Sequence, residues 1–123
     1  RVQNLERTNI RHLTVDQLDD LPDLAVIDAS FISLEKVLPS TIALLKPCSD
    51  IIALIKPQFE VGKGQVGKGG VVRDPDQHLE VVAKIKLFSE QLGCRVVEVC
   101  DSPLLGPKGN KEFLIHLRLE RGL

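Results

Sequence analysis

Two apolar runs that each lead to a charged residue, Asp23–Ala29 and Asp50–Lys56, constrain this chain most. Each is a continuous stretch of Leu, Ile, Val and Ala, which is how a strand buried on both faces reads. Between them Ser33–Leu45 carries a helical pattern, interrupted at Pro39. Proline cannot donate the helix hydrogen bond, so the sequence predicts a kink, or two helical pieces with Pro39 near the start of the second. Strand, helix, strand in that order implies parallel strands joined by a right-handed crossover.

The pattern continues past the second run. Asp74-Pro75-Asp76-Gln77 offers an N-cap, a proline at the first helical position and a capping-box glutamine. Val81, Ile85, Phe88 and Leu92 follow at helical spacing, and Gly93 supplies the stop. Cys94–Asp101 reads as a third strand. Lys111–Glu120, with alternating Phe113, Ile115, Leu117 and Leu119, reads as a fourth. No helix separates these two, so the last should lie antiparallel to its neighbour. Upstream, Val2–Leu5 could end another strand, and Thr14-Val15-Asp16-Gln17 has capping-box form. The fold class expected is α/β: a three-layer Rossmann-like fold of the methyltransferase kind, truncated at its N-terminus.

At 123 residues the chain is one domain or less. Its 43% hydrophobic and 27% charged residues exclude a disordered segment. No apolar run nears the roughly 20 residues of a membrane span, so a cytoplasmic protein without a membrane partner is expected. The chain holds no methionine and is expected to be a fragment or a processed chain. Cys94 and Cys100, six apart on one strand, should share a face roughly 20 Å apart, too far to hold one metal. With Cys48 they read as small buried thiols. His12, His78 and His116 lack ligand spacing, so no metal is expected.

After Lys56 comes a glycine-rich basic loop, with five of the nine glycines inside Gly62–Gly70. From Lys56 to Arg73, Lys56, Lys63, Lys68 and Arg73 stand against Glu60, a local +3 in a chain of net charge -1. Ligands of open α/β sheets bind beyond the carboxyl ends of the strands, and this charge favours a polyanion. Gly62–Gly69 nearly spells a nucleotide P-loop, but Gly69 offers no hydroxyl for magnesium. Lys68 also precedes the helix cap at Asp74 by six positions, so no helix N-terminus would hold the phosphates. A mobile loop that grips nucleic-acid phosphates through Lys63, Lys68 and Arg73 remains, alongside a plain surface loop.

Four stretches together carry a resemblance: Val26–Leu34, Leu54–Glu60, Gly69–Pro75, and Ser102-Pro103 with Gly106–Phe113. They resemble the TlyA, or hemolysin A, family of FtsJ-like ribosomal RNA methyltransferases, and Glu6–Arg11 fits as well. The resemblance implies methyl transfer from S-adenosylmethionine to a ribose 2′-hydroxyl of ribosomal RNA, free or within a ribosomal subunit. Of the family's Lys-Asp-Lys-Glu tetrad, it assigns the aspartate to Asp28, the second lysine to Lys56 and the glutamate to Glu112. The first lysine, the glycine-rich cofactor loop and the RNA-binding module of the family lie upstream of Arg1. Residues 1–123 would then be the C-terminal part of a methyltransferase domain, inactive alone. Asp28, with Glu6 or Asn9, would lie near the cofactor.

The chemistry is consistent with those residue types. A ribose hydroxyl is a poor nucleophile, so its proton must leave as the methyl arrives. A lysine acts as that base only where burial or a neighbouring cation disfavours its charge. Asp28 and Glu112 favour the charge and therefore suit orienting roles. Plainer readings are a cap for Asp28, a solvated strand end for Lys56, and a surface partner of Lys108 or Lys111 for Glu112. A module that binds RNA without chemistry is the alternative function. The family's hemolysin label adds membrane disruption, for which no strongly basic amphipathic face is present.

Overall fold

A computed structural model describes residues 21–62 and 66–120. Four strands, β1 (Leu24–Ile27), β2 (Cys48–Ile55), β3 (Cys94–Asp101) and β4 (Phe113–Glu120), form one sheet in the order β1-β2-β4-β3. β1 and β2 are parallel, and β4 is antiparallel to both β2 and β3. The first three strands therefore run one way. The last enters between β2 and β3, a position the sequence pattern did not specify. Its buried Phe113, Ile115, Leu117 and Leu119 explain why it takes an interior place with partners on both sides.

Helix α1 (Leu34–Ile42) joins β1 to β2, and α2 (Pro75–Gln91) joins β2 to β3. Both helices and one face of the sheet share a core: Leu38, Ile51, Ile55, Ile85, Ile115 and Leu117 are all fully buried. Each such side chain contributes about 1.5–3 kcal/mol of burial. Ser33 caps α1 by accepting the Glu35 N–H, and Asp74 caps α2 by accepting the Asp76 N–H. Gly93, at φ 92°, follows α2 in the left-handed region its stop requires.

Two expectations need correction. Of the two outcomes expected at Pro39, division into two pieces does not occur, since Pro39 lies inside α1. The helix is short, and Pro39 is exposed, so the lost hydrogen bond falls on the solvent side. Cys94 and Cys100 do not share a face. A register irregularity between Val96 and Glu98 turns the strand over, so Cys94 pairs opposite Leu119 on the core side and Cys100 opposite Leu114. Cys94 is buried, Cys48 half-buried and Cys100 exposed.

Candidate active site at the carboxyl edge of the sheet

The carboxyl ends of β1 and β2 and the amino end of β4 lie on one edge, because Ile27 pairs with Ala53 and Ile55 with Phe113. Asp28, Lys56 and Glu112 are the residues next beyond those pairs. Lys56 is 7% exposed. Its ammonium forms an ion pair with Asp28 Oδ1 and a 3.3 Å hydrogen bond to Ser30 Oγ. Leaving a buried ammonium without partners costs several kcal/mol, so Asp28 and Ser30 hold Lys56 in place. Asp28 keeps 63% of its side chain in solvent, and Oδ2 has no partner among the described residues.

Glu112 is also buried, but its carboxylate does not reach Lys56. Oε2 accepts a 2.8 Å hydrogen bond from Gln58 Nε2, two residues beyond Lys56. The reading of Glu112 as a surface partner of a lysine fails, since Lys111 pairs with Asp101 at 3.2 Å instead. Gly106 packs directly on the Glu112 carboxylate, leaving no room for a Cβ. The Gln58 Oε1 atom is buried with no hydrogen-bond donor among the described residues. Such an atom is costly and uncommon in a settled core, and it lies beside Glu112. Asp28 and Lys56 thus touch, while Glu112 is bound to Gln58 and not to the pair.

Two more buried polar residues, Glu60 and Asn110, organise the loops around this edge. Glu60 accepts from Ser33 Oγ at 2.6 Å and from the Leu34 N–H at 2.9 Å, placing a carboxylate at the positive end of α1. Lys84 of α2 stands 3.7 Å from it and donates to its backbone carbonyl at 2.9 Å. Asn110 Oδ1 accepts from the Val72 N–H at 2.9 Å, and Nδ2 donates to the Gly70 and Pro107 carbonyls at 3.0 Å each. His78 Nε2 adds a 2.8 Å hydrogen bond to the Val72 carbonyl. Val71 and Val72 are buried, and the Gly67 N–H donates to the Val71 carbonyl at 2.9 Å.

These hydrogen bonds fasten Gly67–Val72 to the segment that leads into β4. Of the sequence candidates, Glu6, Asn9 and Lys63 lie outside the described residues. Lys68 opens a 3₁₀ turn, Lys68–Gly70. Arg73 is exposed, with Nη1 beside Gly67. Ser30, Gln58, Glu60 and Asn110 were missed as site residues, although all four lie within the stretches that carried the family resemblance. Phe31, exposed with φ 63°, packs its ring 5.0 Å from Phe59 at the same edge. Among the described residues no group of His, Cys, Asp and Glu could hold a metal ion.

A second polar cluster lies on the sheet face opposite the helices. Asp50 Oδ1 is 2.9 Å from His116 Nε2, and Oδ2 accepts from Arg118 Nη1 at 2.9 Å. The His116 hydrogen bond, helped by the Arg118 charge, holds the Asp50 carboxyl below its ordinary 3.8.

Three strands that run one way, with an antiparallel strand set between two of them, give the fold of a Rossmann-like methyltransferase. A family model described as FtsJ-like methyltransferase matches residues 1–119, and the chain belongs to that family. It is 48% identical over 120 residues to the "16S/23S rRNA (cytidine-2′-O)-methyltransferase TlyA" of Mycobacterium tuberculosis, covering 98% of this chain and 45% of that protein. The chain therefore spans less than half the length of this relative. A structure from Streptococcus thermophilus named as a hemolysin superposes with a TM-score of 0.93 at 39% identity, over 99% of this chain and 44% of that one. An S-adenosylmethionine-dependent methyltransferase from Methanosarcina mazei shares the fold, with a TM-score of 0.60 at 16% identity over 92% of this chain and 65% of that one.

Proposed function

We propose that this chain is the C-terminal part of a methyltransferase domain. The full-length parent would move a methyl group from S-adenosylmethionine to a ribose 2′-hydroxyl of ribosomal RNA, in the cytoplasm. The observation that carries this reading is Lys56, buried at a strand end and fixed by Asp28 and Ser30. Lys56 is assigned to the reacting hydroxyl, and Asp28 and Ser30 orient it. Glu112, held by Gln58 and backed by Gly106, lines the same edge. Lys56, with Asp28 and Ser30 behind it, would hold the ribose hydroxyl at this edge while its proton leaves.

The residues fit this cofactor in part. When bound it supplies an electrophilic methyl on a positively charged sulfur, which a bare ammonium would repel. Asp28 offsets the Lys56 charge and keeps Oδ2 available, so it suits the wall of the cofactor pocket. Glu6 and Asn9 are assigned to the adenosine end. The remaining cofactor contacts are assigned to the parent upstream of Arg1. Lys63, Lys68 and Arg73 are assigned to RNA phosphates.

The experiment is methyl transfer and titration calorimetry with the parent and with residues 1–123 alone. The parent should label ribosomal RNA and bind S-adenosylmethionine. The chain alone should do neither above background, since most of the positioning that lowers the barrier would be missing. RNA binding by a parent that transfers no methyl would favour the non-catalytic module. Among the described residues no helix is long and apolar enough to cross a membrane.

A further inference from the structure

Two cations from different segments flank the Gly67–Val71 turn. Arg73 Nη1 lies 3.5 Å from where a Cβ on Gly67 would stand, and Lys108 Nζ lies 3.5 Å from where one on Gly70 would stand. Gly69 and Gly70 have φ of 77° and 78°, so the turn is bare backbone that an oxyanion can approach closely. Lys108 itself has φ 60°, uncommon for a residue with a Cβ.

That conformation is held by its surroundings. The Gly106 N–H donates to the Asn110 carbonyl at 2.7 Å, and the Asn110 N–H donates to the Pro107 carbonyl at 3.2 Å. The Asn110 amide then ties Pro107 to Gly70, fixing the two loops together. Lys111 has Asp101 as counter-ion and Lys84 has Glu60. Lys108 is exposed, and no carboxylate among the described residues pairs with it.

We propose that Lys108 is a further RNA contact. Its ammonium takes a phosphate of the substrate strand beside the Gly67–Gly70 turn and sets the register of that strand against the carboxyl edge. The proposal rests on the RNA-methyltransferase reading above. Its support is a cation positioned by strained, hydrogen-bonded backbone, without a carboxylate partner among the described residues, next to Gly69, around which the space is open.

The test uses the full-length parent, a fluorescently labelled single-stranded RNA 12-mer for binding, and ribosomal RNA for transfer. Lys108→Ala should lower the slope of log K against log salt by about 0.7, the value of one single-strand phosphate contact. KM for RNA should rise several-fold while kcat holds, and Lys108→Arg should restore both. Lys86→Ala, which removes an exposed lysine of α2, should change neither. A Lys108→Ala protein with unchanged slope and KM overturns the proposal, as does one that loses kcat with its slope intact. A wild-type parent without salt-dependent RNA binding brings down the RNA reading as well, so the two failures are told apart.

Discussion

At the carboxyl edge of the sheet Lys56, Glu60, Asn110 and Glu112 are each less than a tenth exposed, whereas on the sheet face away from α1 and α2 Asp50, His116 and Arg118 keep about a third of each side chain in solvent. Both clusters pair charges at hydrogen-bonding distance, but only the first does so where water cannot substitute for a lost partner. A buried polar group left unmatched costs about 1–3 kcal/mol, so each one at the edge commits a loop to a position. The open-face pairs hold nothing comparable, and exposed pairs contribute about 0–1 kcal/mol. Polar contacts thus position the site at one end of the sheet and only decorate its face.

The largest effect that separates the two regions concerns catalysis. In the parent, Asp28→Asn removes the carboxylate that holds Lys56 and should lower methyl transfer by about 10²-fold, the low end of what a positioned proton-transfer group supplies. Asp50→Asn should leave transfer within about twofold, because exposed pairs are worth little and Asp50 faces away from the site. Equal losses in the two variants would erase the contrast.

Stability separates them by a smaller margin. Asn110→Ala strands the Val72 N–H and the Gly70 and Pro107 carbonyls, and should cost about 2–3 kcal/mol in urea denaturation. His116→Ala should cost much less than Asn110→Ala, because its partner Asp50 is partly exposed. A neutral Asn110→Ala variant would mean that the loops hold together without that amide.

The smallest effect is a pH dependence on the open face. Asp50 has its folded carboxyl lowered from 3.8, chiefly by the His116 hydrogen bond. The stability it contributes is therefore present above the unfolded value and is lost as pH falls through the folded one. Carboxyl carbon NMR should find Asp50 titrating below 3.8, and His116→Ala should move that midpoint upward. A midpoint unmoved in the variant would remove His116 as the cause.

Much of the fold was legible because buried strands and capped helices leave local signals. Asp74-Pro75 marked the start of α2 to the residue, and the runs ending near Asp28 and Lys56 marked β1 and β2. The place of β4 between β2 and β3 was not legible, since which neighbour a strand chooses depends on partners far along the chain. The bulge in β3 was equally silent, and it alone reversed the side on which Cys100 emerges. Lys56 could be named as a candidate from its position at a strand end, and Asp28 from the family resemblance. Asn110 and Glu60 could not, because their importance comes from burial beside loops 38 and 26 residues away.

The measurement closest to the central claim is single-turnover methyl transfer to ribosomal RNA by the full-length parent carrying Lys56→Ala, with cofactor affinity read by calorimetry on the same preparation. If the buried lysine at the carboxyl edge acts on the hydroxyl, transfer falls by about 10²–10⁴-fold while cofactor affinity stays near that of the wild type. A Lys56→Ala parent that transfers methyl groups at the wild-type rate would contradict the account.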